Sequence, residues 1–325
     1  MTDPRVRVGV IGTGSLGYHH TRIWSALEGA QLVGVYDHHP GRAAHVASEL
    51  HTTAFPSLDA LLERIQAASV VVSTPAHLEI GRAVLARGVH ALIEKPLADT
   101  VPGAEALVRE AAARKVVLQV GHVERFNRAV RAAAPYLDDP RFLQMERLAP
   151  FSPRGSDVAV VLDLMIHDLD LVLELVGAAV AEVRATGAAV LTPHVDIANA
   201  RIEFANGAVA NITASRVARE RNRRLRIFQP SGYFSLDLAK GTGEFFRLKA
   251  GWQGLSATKI EEIVEPVPLE APEAEPLKLE LESFLRAVTG RGEVVVSGEA
   301  GLAALALATR VGEAISAQPH ALRGP

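Results

Sequence analysis

Val6-Arg7-Val8-Gly9-Val10-Ile11-Gly12-Thr13-Gly14-Ser15-Leu16-Gly17 decides the reading of this chain. A short β-branched run passes straight into Gly-x-Gly-x-x-Gly, and a helical pattern follows. That order is the signature of a dinucleotide-binding turn. One glycine permits the tight turn, one lets backbone approach a pyrophosphate, and one lets helix pack close to strand. The helix start then offers free N–H groups and a partial positive charge to phosphates. Asp37 closes the next apolar run at the spacing expected of a ribose ligand. Its carboxylate can accept from the ribose hydroxyls and repels a 2′-phosphate. NAD is therefore expected ahead of NADP, with Arg42 near enough in sequence to soften the preference. The plain alternative is a structural glycine turn with Asp37 capping a loop.

Outward from this stretch, strand-like runs at 6–11, 31–36, 69–73, 89–93 and 116–120 alternate with helical patterns at 20–27, 41–50, 58–65, 78–87 and 102–113. Continuously apolar strands joined by helices predict a parallel sheet covered on both faces. Right-handed crossovers make it doubly wound, with ligands beyond the carboxyl ends of its strands. After Gly121-His122 the rhythm changes. Residues 126–134 read as a helix, 142–148 as a strand, and 158–176 as a long amphipathic helix ended by Gly177. Alternating runs follow at 180–190, 198–204, 209–215, 224–228 and 233–238, with the hairpin signal Asn206-Gly207 between two of them. Residues 265–276 read as a proline-rich loop, and 277–289 and 298–317 as helices. The expected fold is α/β. Residues 1–122 form a Rossmann doubly wound parallel sheet, and 123–325 an α+β domain with a mostly antiparallel open sheet for substrate binding and oligomerisation.

The 325 residues suffice for two cores. A net charge of −3 gives no reason to expect nucleic acid or an anionic membrane as partner. No cysteine is present, which removes disulfides and thiolate metal sites and suits a reducing cytoplasm. No apolar run reaches the ~18 residues of a membrane helix, and no signal peptide is visible.

Two further motifs carry chemistry. Glu94-Lys95-Pro96 follows the run 89–93, so Lys95 stands where a cofactor's reactive ring would arrive. An ammonium there can stabilise a developing alkoxide or exchange a proton with it. Asp163 and His167 are four apart in an apolar helical stretch, so both side chains share one helix face. An imidazole, with an ordinary pKa of ~6.5, can take a hydroxyl proton at neutral pH, and a carboxylate beside it can orient the ring. Asp170 is placed to support it. Taken alone, Lys95 reads as a surface lysine and the Asp163/His167 pair equally as an internal polar contact; together with the glycine loop they favour function. His19, His20 and His122 read as supporting or structural groups, since no carboxylate pattern around them suggests a metal.

With these motifs the chain resembles the Gfo/Idh/MocA oxidoreductases. The resemblance runs over nearly the whole length: the glycine motif, Thr74-Pro75, Glu94-Lys95-Pro96, Gly121-His122 and Asp163-x-x-x-His167-x-x-Asp170. It implies Lys95 and His167 as the reacting pair, assisted by Asp163. It also implies cofactor contacts from Gly12, Gly14, Ser15, Leu16, Gly17, Asp37, Arg42, Thr74, Pro75, Glu94 and Lys95. Ala76 stands where Asn is common in relatives, and Met165 where Gly is frequent. The stretches 121–127, 163–168 and 213–216 are similar to the branch that oxidises C3 of UDP-N-acetylglucosamine or its uronate. A dense arginine run, 216–226, agrees with that, because arginine forks suit a diphosphate. Arg216 and Arg154 are the expected diphosphate ligands, with Arg125 and Asn127 as further substrate contacts beside Lys95, Asp163 and His167. A solvated strand or subunit contact is the alternative for most of the run. An NAD-dependent glycosidase, a dehydrogenase of a free sugar or cyclitol, and a non-catalytic NAD sensor stay open. A homodimer or homotetramer through the C-terminal sheet is expected.

Overall fold

The computed structural model describes residues 5–318 except 154, 157 and 252–258. The chain divides into two units, one of residues 1–123 with 275–305 and one of 124–274 with 306–325.

The first unit opens with β1 (Val6–Ile11), α1 (Ser15–Ala26), β2 (Ala30–Tyr36), α2 (Pro40–Glu49), α3 (Leu58–Leu62), β3 (Ala67–Val70), α4 (His77–Ala86), β4 (His90–Glu94), α5 (Val101–Arg114) and β5 (Leu118–Gly121). The strands form an all-parallel sheet in the order β2-β1-β3-β4-β5. The order reverses between β1 and β3, which opens a crevice beyond their carboxyl ends. β3 and β5 are buried at every position, as continuous apolar strands between two helical layers must be. Local chemistry sets the helix limits. Thr100 caps α5 by accepting from the Gly103 N–H, Pro102 sits in its first turn, and Lys115 ends it in the left-handed region.

The second unit contains α6 (Arg128–Ala133), β6 (Phe142–Leu148), a π-helical turn (Val161–Met165) running into α7 (Ile166–Val176), then β7 (Val180–Ala188), β8 (Ile197–Phe204), β9 (Val209–Ser215), β10 (Asn222–Gln229), β11 (Gly232–Asp237), β12 (Thr242–Leu248) and β13 (Val264–Pro268). Its eight-stranded sheet has the order β13-β12-β11-β10-β6-β9-β8-β7. Only the β6–β9 pair is parallel. Asn206-Gly207 makes the β8–β9 hairpin, with Gly207 at φ 82°. β12 and β13 were not expected. Pro266 and Pro268 mask β13 in the sequence, and the edge position is what tolerates them.

α7 packs on one face of this sheet, against β6 and β9. Leu143, Met145, Ile202, Ile212, Leu225, Ile227 and Phe234 are buried on that face. The other face carries an aromatic row across four adjacent strands: Phe142–Phe228 at 5.9 Å, Phe228–Tyr233 at 5.7 Å and Tyr233–Phe246 at 4.8 Å between ring centroids.

The remaining helices, α8 (Pro276–Val288) and α9 (Gly298–Ser316), correct the expected boundary. α8 and the first part of α9 belong to the first unit. Phe284 and Leu281 are fully buried in the core that holds Trp24 and β1. The Trp24 indole N–H donates to Ser69 Oγ at 2.8 Å, and its ring meets Phe284 edge-on. The Gln119 amide donates to the Glu280 carbonyl at 3.1 Å, and Val120 N–H to the Val296 carbonyl. Among the described residues no helix is long and apolar enough to cross a membrane.

Candidate active site

In the first unit the glycine loop connects β1 to α1 at the reversal of strand order. Gly12 has φ 93°, and a Cβ there would stand 2.3 Å from the Val71 carbonyl oxygen. A Cβ on Gly17 would stand 1.9 Å from the Gly12 carbonyl oxygen. Both positions therefore require glycine for the turn and for helix–strand contact. Gly14 differs, because a Cβ there would meet nothing within 4 Å. Its side of the loop is open, and α1 begins there with no side-chain cap and no acidic residue in its first turn. The N–H groups of that turn face a cradle suited to a pyrophosphate.

Asp37, beyond β2, is buried and accepts from the Thr13 N–H at 2.7 Å, the Thr13 hydroxyl at 2.9 Å and the His39 N–H at 2.8 Å. Arg42 donates at 3.1 Å to Oδ1, the oxygen that also accepts from His39. Burial pushes this carboxyl up, but the N–H donors of His39 and Thr13, the Thr13 hydroxyl and Arg42 together hold it below the usual range. It is a fixed carboxylate. The loop and Asp37 thus fit a dinucleotide, with the acid ready to take ribose hydroxyls.

Thr74 and Pro75 lie in the 3₁₀ turn Thr74–Ala76 that follows β3. Lys95 is half-buried at the carboxyl end of β4, and the peptide to Pro96 is cis. Glu94 beside it is buried. It pairs with His20 of α1 at 3.1 Å and accepts from the Lys95 N–H at 3.3 Å. Gly121 is explained by this carboxylate, since a Cβ at 121 would stand 2.7 Å from the Glu94 carboxyl. Glu94 therefore fixes the turn that presents Lys95. His77 holds the other side of that turn, its Nδ1 lying 2.7 Å from the Pro96 carbonyl oxygen, which can only accept. Sequence reasoning missed His77; nothing local marks it.

In the second unit Asp163 lies in the π turn and His167 at the start of α7. The wider π turn offsets 163 from 167 differently than the continuous α-helix expected, and π turns recur at functional sites. Both side chains are half-buried, while Met165 between them is fully buried. The carboxylate of Asp163 lies against Gly155, within 2.7 Å of where a Cβ would be, with Gly155 at φ 76°.

The structure gives three of the expected substrate residues partners within the protein. Arg216 is buried and donates to the carbonyls of Gly155 and Val158, both at 2.6 Å. It ties the end of β9 to the segment that covers Asp163, so it positions that acid rather than offering a free fork. Arg125 gives Nε and Nη2 to Asp170 at 2.6 and 2.8 Å and Nη1 to Glu174 at 2.5 Å. Asn127 caps α6 by accepting from Ala129 N–H and donates to Glu124 and the Leu238 carbonyl. Arg154 lies outside the described residues.

A buried charge cluster completes this part. Arg147 of β6 donates to both oxygens of Asp168, the closest contact 2.6 Å, and to Glu124 Oε1 at 2.8 Å. Arg223 also reaches Glu124 Oε1, at 3.2 Å. Burial pushes Glu124 up, yet Arg147 beside it brings it below the usual carboxylate range. One signal could have found Arg147. It follows Leu143 and Met145 at the inward positions of an alternating strand, and an arginine there demands a carboxylate partner.

Residues 6–122 match the oxidoreductase family with an NAD-binding Rossmann fold, and residues 135–235 match the GFO/IDH/MocA C-terminal domain. The chain belongs to the Gfo/Idh/MocA family and is an NAD-dependent dehydrogenase. UDP-N-acetylglucosamine 3-dehydrogenase of Acidithiobacillus ferrooxidans is 41% identical over 318 residues, 96% of this chain and 98% of that protein. A solved structure of that enzyme, GnnA, superposes with a TM-score of 0.88 at 40% identity, covering 97% of this chain and 99% of the other. A scyllo-inositol 2-dehydrogenase of Bacillus subtilis is 28% identical over 66% of this chain and 69% of its own. Levoglucosan dehydrogenase, in complex with NADH and levoglucosan, shares the fold at a TM-score of 0.83 and 19% identity, covering 96% of this chain and 97% of the other.

Proposed function

We propose that this chain oxidises the C3 hydroxyl of a UDP-N-acetylhexosamine, with NAD as oxidant. The end-to-end similarity to UDP-N-acetylglucosamine 3-dehydrogenase carries the reading, because it spans both units of this chain and almost all of the relative. NAD, when bound, supplies the hydride acceptor. The protein's own groups do the rest. The imidazole of His167 takes the hydroxyl proton; its Nδ1 is buried, so Nε2 is assigned to the substrate. Asp163 favours the imidazolium that forms. The Lys95 ammonium steadies the oxygen as negative charge develops on it.

Purified protein given NAD and UDP-N-acetylglucosamine is expected to accumulate NADH. Lys95→Met and His167→Asn should each lower kcat by about a hundred- to ten-thousand-fold, with NAD affinity kept. Undiminished turnover in both variants would reject the assignment. Glycoside cleavage without net NADH would replace it with a hydrolase that recycles its cofactor.

The aromatic row on the open sheet face supports self-association into a homodimer or homotetramer, read by light scattering with and without Phe228→Glu. The cytoplasmic setting, suited by a cysteine-free composition, belongs to the same proposal.

A further inference from the structure

We propose that the cavity where β9 ends and β10 begins is the subsite for the diphosphate of the nucleotide sugar, with Arg219, Arg221, Arg223 and Arg224 supplying the charge. This rests on the nucleotide-sugar reading above and takes the place given to Arg216, whose guanidinium is held by the Gly155 and Val158 carbonyls.

The cavity measures about 910 Å³ and is lined by those four arginines and Lys240, against two acids, Glu220 and Asp237. Lys240 already lies near Asp237, at 3.7 Å. Among the described residues, Arg219, Arg221 and Arg224 have no ion-pair partner. Such a cluster in a slightly acidic chain is a focused positive field, and guanidinium forks match phosphate oxygens.

Arg223 adds a more specific argument. It is half-buried, and it shares a single oxygen of Glu124 with Arg147. Two guanidiniums on one carboxylate oxygen leave the outer one under-neutralised. Burial first, and then Arg147, press Arg223 below the ordinary guanidinium value. An arriving anion relieves both effects.

Placement ties the cavity to the reacting helix within the same unit. Ala149 N–H donates to the Ser215 carbonyl, and Ala218 N–H to the Ala149 carbonyl, closing the cavity wall onto the end of β6. Arg216, two residues before Ala218, holds the segment leading into the turn that bears Asp163. Asp168, next to His167, is bridged through Arg147 and Glu124 to Arg223 itself.

The test uses the full chain with NAD. In Arg219→Ala/Arg221→Ala, KM for UDP-N-acetylglucosamine and the inhibition constant of UDP should both rise about a hundredfold. KM for NAD and inhibition by uridine should not move. Arg226→Ala, on β10 but outside the cavity, is the control and should behave as the unmodified enzyme. UDP should compete with the nucleotide sugar. An unchanged KM in the double variant overturns the proposal, and so does non-competitive inhibition by UDP, which would mark a separate anion site. If the unmodified enzyme does not turn over the nucleotide sugar, the functional reading fails by itself. Calorimetry with UDP then decides the cavity: equal affinity in the unmodified protein and the double variant overturns it, and loss in the variant upholds it.

Discussion

The glycine loop after β1 and the arginine run after β9, as proposed above, would serve anions in opposite ways. In the loop the backbone makes the site: glycine is required at 12 and 17 because a Cβ there would fall within 2.5 Å of a carbonyl oxygen, and the donors are main-chain N–H groups. In the run, side chains make the site, and each arginine's role depends on whether a distant partner has already taken it. Arg216 is taken by carbonyls 58 and 61 residues away; Arg219 and Arg221, a few residues on, are not. A backbone site is written in local sequence. A side-chain site is written only in the tertiary structure.

The largest effect is expected at Arg147, a side chain held wholly by distant partners. Arg147→Met keeps volume but leaves Glu124 and Asp168 without their cation, and should cost about 3–5 kcal/mol in urea unfolding. A change near zero would mean that the second unit does not depend on its buried charges. Phe284→Ala tests the first unit in the same way. The cavity should cost about 3–5 kcal/mol and weaken NAD binding, if α8 completes that core. Arg216→Ala should cost about 1.5–3 kcal/mol and lower kcat through a displaced Asp163, with KM for the nucleotide sugar nearly kept. A large KM effect alone would restore it as a direct ligand. Asp37→Asn should weaken NAD binding by about tenfold and narrow the preference over NADP.

The smallest effect is a pH dependence. Burial pushes His77 below its ordinary value, although its carbonyl partners pull the other way. The unfolded chain therefore binds this proton more readily than the native state does. Stability is full above the unfolded pKa of ~6.5 and falls as pH drops below it. His77→Asn should flatten that acid-side slope in urea midpoints taken between neutral and mildly acidic pH.

These comparisons also mark what was legible in advance. β1, the glycine loop, Asp37 and the Asn206-Gly207 hairpin follow from short-range rules and stand where the sequence puts them. β13 was hidden by Pro266 and Pro268, which only an edge can accommodate. The spacing of Leu281 and Phe284 announces a buried face but not which sheet it covers, so the boundary at 122 omitted the returning segment 275–305. Arg125 and Asn127 looked available because Asp170, 45 residues from Arg125, and Leu238, 111 residues from Asn127, are invisible to any local pattern.

That returning segment has a consequence for biosynthesis. As the nascent chain leaves the ribosome, Trp24 emerges some 260 residues before Phe284, the ring that seals it. The first sheet must wait with an open side while residues 124–274 of the second unit are made. Shielding of that apolar surface during elongation, by chaperone or by slow collapse, falls on this protein more heavily than on one whose nucleotide-binding half is contiguous.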